Sequence, residues 1–230
     1  MKKRILSILL LCCMVLTMLP TTVLAADGPM DTIPKYDVSI DVYNRTSDIS
    51  IKDSRSYYIY SSVPDKLRDT WAWDKKIFIK GDKTAPHVFI DGVNIEMSPS
   101  SKGPAIELNK KASAYIYFIG KNSSLQGADG RAAIQKNRSE GQLYVLARTG
   151  TTVTCKGGDK AAGIGGSWAT RNIAESLFNL DMYGHGANMH FGSQTNPSLW
   201  SGTIIAKGGD GGAGIGGGRN GSCGSRFRLC

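Results

Sequence analysis

Lys156-Gly157-Gly158-Asp159-Lys160-Ala161-Ala162-Gly163-Ile164-Gly165-Gly166 returns 51 residues later as Lys207-Gly208-Gly209-Asp210-Gly211-Gly212-Ala213-Gly214-Ile215-Gly216-Gly217, with nine of eleven positions identical. Each copy follows a β-branched run, Thr151-Thr152-Val153-Thr154 or Thr203-Ile204-Ile205, and such runs favour strands. The glycines after the run permit positive φ at a tight corner, and Asp suits a turn. The single Ile then reads as a buried anchor between corners. Strand, corner, small residues and Ile together make one turn of a coil.

Fainter copies lie upstream. Gly92 precedes Ile106 by 14, Gly120 precedes Ile134 by 14, and Gly150 precedes Ile164 by 14. This register places Pro104, Ala132, Ala162 and Ala213 in one column. It groups Gly127, Gly157 and Gly208 in a second, and Asp129, Asp159 and Asp210 in a third. It also aligns Asn94 with Asn122, with Thr152 in the next turn. Repeats of 20 to 50 residues point to a solenoid, in which stacking buries a face that no single repeat buries alone. The strand runs Val88–Ile95, 114–119 and 143–147 are rich in β-branched and aromatic residues, which favours an all-β coil.

Residues 1–25 read as a secretory signal peptide: Lys2, Lys3 and Arg4, an apolar stretch from Ile5 to Leu19, then Val23-Leu24-Ala25 before the cut. Residues 26–35 read as a linker, 36–87 as N-terminal strands and a cap, and 88–218 as the repeats. Residues 168–200 interrupt the period, and we expect an excursion with a short helix over 173–180, packed on the side of the coil, with a degenerate rung hidden in the stretch as the alternative. Residues 219–230 show no strand period and read as a disordered or truncated tail. The formal net charge of +9 falls to +6 without the three basic residues of the leader. That surplus is scattered, so nucleic acid is not implied, while a cell wall of opposite charge is a candidate partner. Cys155, Cys223 and Cys230 are an odd number and make no complete disulfide framework. Cys155 aligns with Leu125 and Ala206 and is expected inside.

The segments Gly130-Arg131-Ala132-Ala133-Ile134, Ala162–Ser167 and Ala213–Gly218, with Ile90-Asp91-Gly92-Val93-Asn94-Ile95 before them, resemble secreted bacterial surface proteins with glycine-rich AGIGGG repeats. These are commonly labelled carbohydrate-binding-domain-containing proteins. The resemblance covers about residues 45 to 220. It implies a right-handed parallel β-helix, export, and a surface role in Gram-positive bacteria. It implies no catalytic residues.

Searches for chemistry return little. Gly209-Asp210-Gly211-Gly212-Ala213-Gly214 matches a nucleotide-binding glycine pattern, but glycines follow where a helix is needed. His185 and His190 are five apart, against the i, i+4 spacing of a zinc pair, and His87 stands alone. We expect no metal and no cofactor. The Asp129, Asp159, Asp210 column reads first as turn formers and second as ligand contacts. Aromatic faces pack against sugar rings, so Trp168, Trp200 and Tyr183 in the insert are the candidate carbohydrate contacts, with the three Asp beside them. The expectation is a non-enzymatic, exported module that binds a polysaccharide or other glycan. A β-helical polysaccharide lyase or hydrolase and a structural spacer are the alternatives.

Overall fold

A computed structural model describes residues 35–101, 103–109, 111–136, 140–168, 186–220 and the backbone of 227–229. It is a parallel β-solenoid of about four full turns. Three sheets run along the coil. Sheet A holds β1 (Val38–Asp41), β3 (Ser56–Tyr60), β5 (His87–Asp91), β8 (Ala114–Ile119), β11 (Leu143–Ala147), β14 (Met189–Phe191) and β17 (Phe227–Leu229). Sheet B holds β2 (Ile49–Ile51), β4 (Ile77–Lys80), β7 (Ile106–Asn109), β10 (Ile134–Lys136), β13 (Ile164–Gly165) and β16 (Ile215–Gly216). Sheet C holds β6 (Asn94–Glu96), β9 (Ser123–Gln126), β12 (Thr152–Lys156) and β15 (Thr203–Lys207). Every paired strand runs parallel, and each full turn passes through A, C and B in that order.

The Ile anchors stack as expected, and the column is longer than the spacing suggested. Ile49, Ile77, Ile106, Ile134, Ile164 and Ile215 are successive register partners, the first five fully buried. Among the described residues the stacked strands already include β1 and β2, ahead of Val88, so the stretch read as N-terminal strands and a cap contributes rungs. Inside sheet C, Ile95, Leu125, Cys155 and Ala206 form the matching column. Parallel in-register stacking puts apolar on apolar, all isoleucine in the sheet B column and mixed in the sheet C column, and burial of these columns drives the fold.

The glycines do two jobs. Gly92, Gly120 and Gly150 take φ of 60°, 65° and 84° at one corner. In the AGIGG segments the need is proximity: a Cβ on Gly165 would lie 2.1 Å from the Gly216 carbonyl oxygen of the next turn.

Corner Asp and Asn side chains tie one turn to the next. Asp48 Oδ1 accepts from the Lys76 amide at 3.1 Å, Asp91 Oδ1 from Lys121 at 2.9 Å, and Asn94 Oδ1 from Ser124 at 3.0 Å. Asn122 Oδ1 accepts from Thr152 at 2.8 Å. Each satisfies a backbone donor that the corner leaves out of the sheet ladder. Asn94 and Asn122 thus both bond along the axis but do not share a column. Asn94 lies opposite Ser124, because the corner after Gly120 carries two additional residues.

Two other expectations change. Met189–Phe191 pairs with both Leu143–Val145 and Phe227–Leu229, so the second half of the interruption is a degenerate rung of sheet A rather than an excursion. Phe227–Leu229 is likewise a strand of that sheet, although it lies in a stretch read as tail. The helix expected over 173–180, the leader, most of the linker, Cys223 and Cys230 lie outside the described residues.

Candidate functional site

The outward side chains of sheet C alternate with the core residues. Asn94, Ser124 and Thr154 form one outward column in register, and Asn122 and Thr152 form a second. These are polar, but the first column ends on the exposed Ile205, the register partner of Thr154 on the next turn.

At its lower end the face gains a wall from an earlier turn. After β3 the chain does not lay down a sheet C strand. It makes a 3-10 turn at Asp65–Leu67, which the Trp71 amide closes by donating to the Leu67 carbonyl at 2.8 Å. It then rejoins the coil at Trp73, which bridges Ile95 in parallel. Trp73 is 3% exposed and its indole Nε1 donates to the Arg45 carbonyl at 2.8 Å. Trp71, two residues earlier, stays half-buried with Tyr43 edge-on to it at 5.4 Å. The pair separates because this stretch is a turn and a single bridge, not a strand with a shared face.

The wall is pinned to the floor. Arg68 donates from one guanidinium nitrogen to the Gly92 carbonyl at 2.9 Å and from the other to Val63 at 3.3 Å. Asn94 Nδ2 donates to the Arg68 carbonyl at 2.9 Å. The Lys121 ammonium, 2.7 Å from Asp65 Oδ1, and after it the Arg68 guanidinium, hold the Asp65 carboxyl below the usual carboxylate range.

Between wall and floor runs a groove of about 680 Å³, lined among others by Arg68, Asp69, Asn94, Asn122, Ser124 and Thr154. A smaller cavity of about 130 Å³ continues it past Asp69, Asn94 and Ser124 to Trp71, Glu96 and Gln126. The combined surface offers one aromatic side, a carboxylate at Asp69 with no ion pair among the described residues, and amide and hydroxyl groups repeated at the rung spacing of about 4.8 Å. Chemically it can accept and donate hydrogen bonds along an extended polar chain and pack one apolar ring face.

The structure does not bring the sequence-derived candidates to this groove. Trp168 is 36% exposed, at the corner beyond sheet C; its amide donates to the Gly130 carbonyl at 2.9 Å, and the Lys160 ammonium sits 4.6 Å over its ring. Trp200 is corrected as a contact residue. It is 3% exposed, with its ring 5.0 Å from Tyr117, in a layer of side chains that closes the outer face of sheet A. Asp129, Asp159 and Asp210 sit in equivalent corner turns. Asp129 Oδ1 accepts from the Asp159 amide at 3.4 Å, and Asp159 pairs with Lys160 at 2.9 Å, which fits turn formation. Tyr183 and His185 lie outside the described residues.

That aromatic layer over sheet A was not anticipated either. His87, Tyr115, Tyr144 and His190 stack in one column at 4.6, 4.5 and 4.4 Å between ring centroids. Alternation of Tyr115 and Tyr117 about the buried Ile116 was the available signal. For the groove, the signal was the recurrence of a short polar side chain at 94, 124 and 154. Among the described residues no group of His, Cys, Asp and Glu could hold a metal ion, and no helix is long and apolar enough to cross a membrane.

No protein-family model, curated protein or solved structure matches the chain.

Proposed function

We propose that the protein is an exported, non-catalytic surface module that binds a glycan along the outer face of sheet C. The observation that carries the reading is the groove itself. It follows the coil axis, its floor repeats Asn94, Ser124 and Thr154 on successive turns, and Trp71 stands at one end. A polysaccharide is a chain of repeated polar units with apolar ring faces, and a rung-periodic polar floor with an aromatic end is complementary to it. The basic and apolar N-terminal stretch supports export. The site moves from the interruption, where the sequence pointed, to the wall made by residues 65–73.

The test is a glycan array or affinity electrophoresis with Trp71→Ala, Asp69→Asn and Thr154→Val. Asp69 and Thr154 reach the surface, so their variants should melt like the parent, while Trp71→Ala, whose ring packs on the core edge, should melt somewhat lower but stay folded; all three should lose retention on the retarding glycan. Retention lost in Trp168→Ala but kept in Trp71→Ala would overturn the groove assignment. Release of reducing or unsaturated ends by the parent would replace a binder with an enzyme.

A further inference from the structure

We infer that the glycan is acidic, and that Lys156 and Lys207 dock its anionic groups; this rests on the reading of sheet C as the binding face. The two lysines open the two copies of the strongest repeat, immediately before Gly-Gly. The fold stacks them. Along sheet C the outward column next to Asn94, Ser124 and Thr154 is Glu96, Gln126, Lys156 and Lys207, in continuous register. Lys156 is the next outward residue after Thr154, a residue of the groove, so the two columns form one surface.

Both lysines are exposed and lie directly opposite one another on adjacent strands, about 4.8 Å apart at the backbone. Like charges in that relation destabilise a sheet. Some cations of the coil are paired, Lys76 with Glu107 at 2.7 Å, Lys121 with Asp65 at 2.7 Å and Lys160 with Asp159 at 2.9 Å; others, such as Lys52 and Lys83, have no such partner among the described residues, but those two are not stacked on one another in register. Lys156 and Lys207 have no carboxylate partner among the described residues, and the nearest corner Asp of the first repeat is engaged by Lys160. Two unpaired ammonium groups in line, beside the Thr154 hydroxyl on one strand and the exposed Ile205 on the next, are a site for carboxylates repeated along a polymer that also carries apolar ring faces. Glu96 at the opposite end of the column gives the surface a direction. The anionic part of the chain lies over the upper turns, and uncharged sugar units occupy the end lined by Asp69, Trp71 and Glu96.

The experiment measures binding of the full chain to polygalacturonate, neutral dextran and duplex DNA at low and moderate salt. Variants are Lys156→Gln/Lys207→Gln and the charge-matched control Lys52→Gln/Lys83→Gln, both of exposed lysines. We expect the first pair to weaken polygalacturonate binding about tenfold or more, as loss of two charge-assisted contacts implies, and to flatten its salt dependence. The control should leave both unchanged. The free Lys156→Gln/Lys207→Gln protein should melt no lower than the parent, since it loses only repulsion. An equal loss in the control would reduce the effect to net charge and overturn the site. Equal affinity for duplex DNA would overturn the assignment to a polysaccharide. Dextran binding that needs Trp71 but ignores the lysines overturns the acidic class and leaves the groove standing. Polygalacturonate binding that needs the lysines but ignores Trp71 and Asp69 removes the groove and keeps the lysine line.

Discussion

Replacing Gly165 and Gly150 separately with alanine divides the two roles of glycine in this coil. Both have positive φ, +128° at Gly165 and +84° at Gly150. At Gly150 an added Cβ meets nothing within 4 Å, so only backbone strain is introduced. Strain of about 1–2 kcal/mol, less the roughly 0.4–1 kcal/mol by which alanine restricts the unfolded chain, leaves a loss of about 1 kcal/mol. At Gly165 the same Cβ would sit 2.1 Å from the Gly216 carbonyl oxygen. That oxygen accepts from the Gly166 amide at 2.8 Å, so the two turns must part and the bond is lost. Strain of about 1–3 kcal/mol plus about 1–3 kcal/mol for a buried donor left without its acceptor, less the same roughly 0.4–1 kcal/mol, gives a loss of about 3 kcal/mol. A domain of this size melts about 2–4 °C lower per kcal/mol, so thermal unfolding followed by circular dichroism should separate the variants by several degrees. Equal destabilisation would refute the claim that close approach of neighbouring turns, rather than corner conformation, demands glycine in the AGIGG segments.

Three further outcomes are expected. Ile134→Asp places a carboxylate between Ile106 and Ile164 in a dry column, a cost of several kcal/mol against a whole stability of about 5–15 kcal/mol; a soluble variant with a cooperative melt would contradict the stacking. Trp200→Ala should lower stability by about 3–5 kcal/mol, whereas Trp168→Ala, at the surface, should stay within about 1 kcal/mol. Burial lowers the pKa of Lys136 to about 8, against about 10.4 in an unfolded chain. Between those values the unfolded state binds more protons, so stability rises with pH. Chemical denaturation at pH 8 and pH 10 should show this gain in the parent and less of it in Lys136→Met; an unaltered slope would remove Lys136 as its source.

By itself the sequence determined the coil, its all-β character and the identity of its inner columns. The reason is that a parallel solenoid repeats in register, so spatial neighbours recur at nearly constant intervals. Gly120 to Ile134 and Gly150 to Ile164 carry that interval openly. Cys155 beside Leu125 and Ala206 followed from the same register, and the sheet C pairing bears it out. Legibility failed where a corner changed length: the two additional residues after Gly120 moved Asn94 opposite Ser124 instead of Asn122. It failed also where a rung lacks the glycine 14 residues before its anchor, as at Ile49 and Ile77, and at Met189–Phe191, whose three-residue strand is too short to show a period alone.

Only the tertiary structure decided which aromatic residues are available. A tryptophan ring closes a core or lines a groove with the same chemistry, and Trp71, Trp73, Trp168 and Trp200 differ in what lies over them, not in local pattern. The groove required residues 65–73 to leave one turn and lean against two later ones, through bonds between residues 24 to 56 apart. The Lys156 and Lys207 line is visible as two letters in two repeats. Its meaning depends on pairing that sets the two residues side by side, with no carboxylate paired to either among the described residues, and that is a property of the stacked coil.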